Sequence, residues 1–121
     1  MLGLGAAARY ALDVGVDVTS DLAFSLARRL RDAIAGIPGG RVMDAGRDKC
    51  AIVTAMFESR DAREIVNELK ARKINTTSSL KWYGLLDFSS RGVEAALRIS
   101  PHYYNTEEEV DAALAGIREL T

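Results

Sequence analysis

The chain has 121 residues, 48 % of them hydrophobic and 27 % charged, the make-up of one folded domain and not of a disordered segment. Sixteen basic against seventeen acidic residues leave a net charge of -1, so there is no excess of Lys and Arg to displace counterions from nucleic acid. No apolar run approaches the ~20 residues that span a bilayer, the first residues lack the basic region of a secretory signal, and the single cysteine, Cys50, has no internal disulfide partner; a reducing cytoplasm is the expected compartment.

Residues 2–16 are rich in alanine and read as a helix that sets its small residues against a neighbour and ends near Gly15. A second helix carries Leu22, Leu26, Leu30, Ala33, Ile34 and Ile37 at three- and four-residue spacing, with Arg28, Arg29, Arg31 and Asp32 on its outer side. Thr19 or Ser20 is its expected N-cap, and Pro38-Gly39-Gly40 stops it. Two strands are predicted next, over 41–44 and 50–57, joined by the turn formers Ala45-Gly46-Arg47-Asp48. The second of them, nearly free of polar residues, reads as a central strand with Cys50 buried at its start.

A third helix is predicted over 62–72, entered from Ser59 or Asp61, followed by a short β-branched strand over 74–78. From 79 to 93 no period holds, and Trp82, Tyr83, Leu85 and Leu86 fall in what reads as a long loop. Residues 95–100 return to a strand. The last helix starts at Thr106, where Glu109 three residues on completes a capping box and Glu107 and Glu108 complement the helix dipole; these acids are a helix start and not a metal site. The order α-α-β-β-α-β-loop-β-α predicts an α/β (α+β) sandwich, a small, mostly antiparallel sheet with helices packed on one face.

Few residues carry chemistry. His102 is the only histidine, has no metal-ligand spacing around it, and reads as a turn residue after Pro101. Gly3-Leu4-Gly5 imitates a dinucleotide fingerprint without the strand that should precede it. Arg98 is different. Alternation within 95–100 puts it on the face opposite Leu97 and Ile99, either as one residue of a solvated sheet face or as a guanidinium fork for a carboxylate or phosphate. The pattern alone leaves both readings open.

The run from Leu97-Arg98-Ile99-Ser100 through Tyr104-Asn105-Thr106-Glu107-Glu108-Glu109-Val110-Asp111 resembles the closing segment of the class V aminotransferases, a pyridoxal-phosphate-dependent group that includes cysteine desulfurases and isopenicillin N epimerase-like proteins. Gly3-Leu4-Gly5-Ala6-Ala7 is similar to the helix that joins that family's large and small domains, and the intervening segments fall in the expected order. The resemblance covers the whole chain but only the C-terminal small domain of the family's fold. It implies a single domain over 1–121, with 1–18 as the interdomain helix, 19–121 as the small α/β domain and the large cofactor-binding domain absent. It implies that Arg98 holds the α-carboxylate of an amino-acid substrate in the longer parent. The cofactor would be bound there and not by this chain, which alone would be catalytically silent, and a homo-oligomer would be possible. Cysteine desulfurases place a nucleophilic cysteine on the loop after the strand matching 74–78; residues 79–88 contain none, which points to an aminotransferase, epimerase-like or lyase-like parent and away from desulfuration. The alternative is a free-standing α/β module for small-molecule binding or interaction, which would pack its first helix on its own core.

Overall fold

The computed structural model describes residues 2–121, with the side chain of Leu2 left undescribed. Two helices open the chain, α1 (Leu2–Val14) and α2 (Val16–Ala35), separated only by Gly15. With φ at +96°, a backbone angle that a side chain disfavours, Gly15 turns the chain between them. Helix α2 therefore starts at Val16, not at Thr19 or Ser20. The hydroxyls of those two residues lie inside the helix and donate back to the Val16 carbonyl at 3.0 and 2.8 Å, so neither is a cap. The small residues of α1 meet no tightly packed neighbour; residues 3–14 are all exposed.

After α2 the chain folds back through Pro38 and Gly39 into β1 (Gly40–Val42). A Cβ on Gly40 would lie 2.8 Å from the Ile34 carbonyl oxygen, so only glycine permits this close return. Strand β2 (Val53–Phe57) follows, then α3 (Ala62–Ala71), β3 (Thr77–Leu80), a 3-10 turn (Lys81–Tyr83), α4 (Leu85–Arg91), β4 (Ala95–Ile99) and α5 (Glu107–Leu120). The four strands form one sheet in the order β1-β2-β4-β3, antiparallel throughout. This is the α/β arrangement expected from the order of elements.

The core lies on one side of that sheet. Alternation in β2 sends Val53, Ala55 and Phe57 inward, and β4 adds Leu97 and Ile99. Against them pack Leu26, Leu30 and Ile34 from α2, Ile65 and Leu69 from α3, and Val110, Leu114 and Ile117 from α5. Each large aliphatic side chain so buried contributes roughly 1.5–3 kcal/mol. Helix α4 contributes nothing to this cluster and has no buried residue, which is why no apolar period marks it in the sequence.

Three boundaries move from their predicted places. The second strand begins at Val53 and not at Cys50, which is exposed. The carbonyls of Cys50 and Ile52 are taken by the Arg31 guanidinium at 2.6 and 3.0 Å, so that backbone is satisfied by a side chain and needs no strand partner. Strand β1 ends at Val42, before Asp44 turns to receive Arg31 and Thr54. The short β-branched strand is displaced to Thr77–Leu80, because Lys73 and Ile74 close α3 with hydrogen bonds to the Lys70 and Leu69 carbonyls.

The caps read from sequence are present. Asp61 accepts from the Arg63 backbone N–H at 2.8 Å, and Thr106 and Glu109 form the reciprocal capping box. The Glu109 carboxyl sits below the ordinary carboxylate range, first because the Asn105 amide donates to it and then through the Thr106 N–H. Asp111 is lowered chiefly by the hydrogen bonds from Arg29. Both folded values lie below the unfolded ones, so the stability they contribute is complete above the unfolded carboxylate pKa and is lost as pH falls through the folded values. Urea unfolding repeated at decreasing pH should show stability begin to fall below about pH 4, the unfolded carboxylate range, and Asp111→Asn should reduce that pH dependence. Thr106→Ala should cost about 1 kcal/mol in urea unfolding at neutral pH.

Candidate functional site

Strand β4 runs between β2 and β3, and Arg98 stands opposite Thr54 on one neighbour and Thr77 on the other. The residues on either side of it, Leu97 and Ile99, are in the core, so its side chain leaves by the face that α2, α3 and α5 do not cover. That face is not bare: Ala96, two residues away, is fully buried and Arg98 itself is half-buried. The Arg98 Nε has no exposed surface and no hydrogen-bond partner. None of the ion pairs among the described residues includes Arg98.

Arg31 shows how this fold treats a buried guanidinium that serves structure. Its side chain is 13 % exposed and that of Asp44 is 9 % exposed. Arg31 Nε donates to Asp44 Oδ2 at 2.7 Å while Nη2 serves two backbone carbonyls. Asp44 Oδ1 accepts from both the backbone N–H and the hydroxyl of Thr54, at 2.8 and 2.6 Å. No buried side-chain N or O of Arg31, Asp44 or Thr54 is left without a partner. Arg98 Nε and Thr76 Oγ1 are the two buried side-chain polar atoms left without a partner among the described residues, and a guanidinium fork on a strand suits a planar anion.

The other chemistry-bearing residues are elsewhere. His102 is exposed and stacks on Tyr104 with ring centroids 4.5 Å apart; its backbone N–H, not its ring, holds Asn105 Oδ1 at 2.8 Å. Tyr103 approaches the Tyr10 hydroxyl of α1 at 3.5 Å, and that hydrogen bond, with burial, raises its phenol pKa above the ordinary value. Cys50 is exposed within the 43–52 excursion, and no cluster of three His, Cys, Asp or Glu suited to a metal occurs among the described residues. A groove of about 310 Å³ between the 73–76 segment and the start of α5 is floored by Ile99 and Val110, on the core side of the sheet and away from Arg98.

The segment after β3, expected as a loop, is the 3-10 turn and α4. Lys81 Nζ pairs with Glu94 at 2.6 Å. Arg91 bonds Asp87 at 2.8 Å and donates to the Met43 carbonyl at 2.6 Å, which ties α4 to the far edge of the sheet. Trp82, Tyr83, Leu85 and Leu86 are 59–87 % exposed, so this segment presents apolar surface outward. Sequence reasoning located Arg98 but not its threonine neighbours. Their only signal was register, which strand periodicity does not supply.

The family profile described as aminotransferase class-V matches residues 1–113. A probable cysteine desulfurase of Xylella fastidiosa (strain Temecula1) is 29 % identical over 98 % of this chain and 29 % of its own length. Among solved structures, the cysteine desulfurase CsdA from Escherichia coli superimposes with a TM-score of 0.87 at 24 % identity, over 98 % of this chain and 29 % of that one. The apo cysteine desulfurase of Thermococcus onnurineus also reaches 0.87, at 21 % identity, over 98 % and 30 %. The chain therefore spans about three tenths of the length of each of these relatives.

The contrast between the two arginines is measurable. Asp44→Ala leaves the largely buried Arg31 charge without its carboxylate partner and should cost about 3 kcal/mol in urea unfolding. Arg98→Met removes an orphaned donor and should leave the unfolding free energy within about 1 kcal/mol of the unsubstituted chain.

Proposed function

The chain belongs to the aminotransferase class-V family, and from that premise we propose that it is the C-terminal small domain of a pyridoxal-phosphate-dependent enzyme acting on amino acids, in which Arg98 holds the substrate's α-carboxylate. The observation that carries this reading is the half-buried Arg98, whose Nε is sealed from water and has no partner.

When bound, pyridoxal phosphate supplies an electron sink for reactions at the amino-acid α-carbon. The residues of this chain do not fit as its holder. A Schiff-base lysine needs a free amine in a desolvated pocket, whereas Lys49, Lys70 and Lys73 are exposed and Lys81 is ion-paired with Glu94. Cofactor attachment is accordingly assigned to protein outside these 121 residues. What this chain does is bind and orient. The guanidinium fork donates to a carboxylate bidentately, and a central strand fixed by two ladders and a packed core holds that fork rigidly against it.

The exposure of α1 supports a role within a larger enzyme. Leu4, Tyr10 and Leu12 are 62–76 % exposed, an apolar surface that suits packing against further protein and not a helix folded onto its own core, as a free-standing module would require. Two features separate the reading from the desulfurases it resembles. Residues 79–88 contain no cysteine, and the exposed Cys50 lies in a different excursion. A persulfide-forming step needs a thiolate nucleophile there, so the proposed parent is an aminotransferase, epimerase-like or lyase-like enzyme.

In the longer protein that carries the cofactor, Arg98→Ala should raise the KM for the amino-acid substrate roughly a hundredfold, with Arg98→Lys intermediate and the circular dichroism spectrum unchanged. An unaltered KM for Arg98→Ala would remove the assigned role.

A further inference from the structure

Two threonines flank Arg98 across the sheet, Thr54 on β2 and Thr77 on β3. Residues directly opposed in an antiparallel ladder share a face, with Cβ atoms about 4.5–5.5 Å apart, so both side chains stand beside Arg98. They differ in what they have left to donate. The Thr54 hydroxyl already donates to Asp44 Oδ1 at 2.6 Å, and its backbone N–H bonds the same oxygen. Thr77 is exposed, opens the edge strand, and its hydroxyl bonds no other described residue.

The electrostatics separate the two sides as well. On the β2 side the Asp44 carboxylate, paired with Arg31, holds the Thr54 hydroxyl, whereas the β3 side carries no acidic residue within its strand and ends at the edge of the sheet. Of the two flanking hydroxyls, only that of Thr77, on the β3 side, is uncommitted.

We propose that Thr77 is a second carboxylate-anchoring residue, so that a bound amino acid is held on the β3 side of Arg98 by the guanidinium fork and the Thr77 hydroxyl together. This rests on the reading of Arg98 as a carboxylate clamp. It makes Thr77 a substrate-binding position that sets on which side of the arginine the substrate lies. The hydroxyl donates to one carboxylate oxygen while the guanidinium spans both, which defines the orientation of the carboxylate plane more tightly than an arginine alone.

The test is a titration of the 121-residue chain with sodium acetate, with sodium chloride at matched ionic strength as the control, followed through the backbone amide resonances of β3 and β4. Saturable shifts specific to acetate are expected. Thr77→Val, which keeps the β-branched shape and removes the hydroxyl, should weaken acetate binding roughly tenfold, Thr77→Ser should retain it, and Arg98→Ala should abolish it. If Arg98→Ala abolishes binding while Thr77→Val binds like the unsubstituted chain, the role of Thr77 is overturned and the arginine clamp stands. If acetate gives no specific shift, or Arg98→Ala leaves it intact, both readings fall.

Discussion

Side-chain alternation along β4 is the constraint on which the rest of this molecule depends. Leu97 and Ile99 are held in the core by three helices, and the strand is fixed in register by a neighbour on each side. Arg98 then has no freedom to choose a face. Slipping the register by one residue would drive a guanidinium into the aliphatic core and expose two of its members, a cost of several kcal/mol that no local gain offsets. The position of the arginine is thus a consequence of core packing, although the arginine itself contributes nothing to that core.

The same fold contains a guanidinium used in the opposite way. Arg31 and Asp44 form a largely desolvated pair whose remaining bonds hold Thr54 and the end of the 43–52 excursion. That pair ties α2 to the sheet edge and uses up the hydroxyl on one side of Arg98. The network that secures the excursion also leaves Thr77 as the flanking threonine with a proton to give.

Apolar surface is distributed just as unevenly. The core side of the sheet is closed, while α1 and the segment from Trp82 to Leu86 turn large hydrophobic side chains to the outside. Arg91 and Lys81 anchor that second segment through the Met43 carbonyl and Glu94, so its exposure belongs to an ordered piece of structure. Membership of the aminotransferase class-V family and a length about three tenths that of the Xylella, Escherichia and Thermococcus relatives give these surfaces a common explanation in the proposed larger enzyme.

Much of this was legible in the residues themselves. Three- and four-residue spacing placed α2, α3 and α5; Asp61 and the Thr106–Glu109 pair marked two helix starts; and alternation assigned Arg98 its face. These features are local, set by the backbone periods of 3.6 and 2 and by orphan donors within one turn. The start of α2 lies ahead of Thr19 because a hydroxyl can bond backward inside a helix as readily as it caps one, and Gly15 governs the turn. Cys50 was placed in a strand because an apolar run does not reveal that Arg31, 19 residues earlier, would take its carbonyl. Helix α4 was missed because it buries no face. The sequence by itself determined which segments form elements and that an arginine leaves the core at position 98. Only the tertiary structure decided which residues stand beside that arginine and that its Nε has no partner, because strand register and side-chain pairing arise from contacts between segments far apart in the chain.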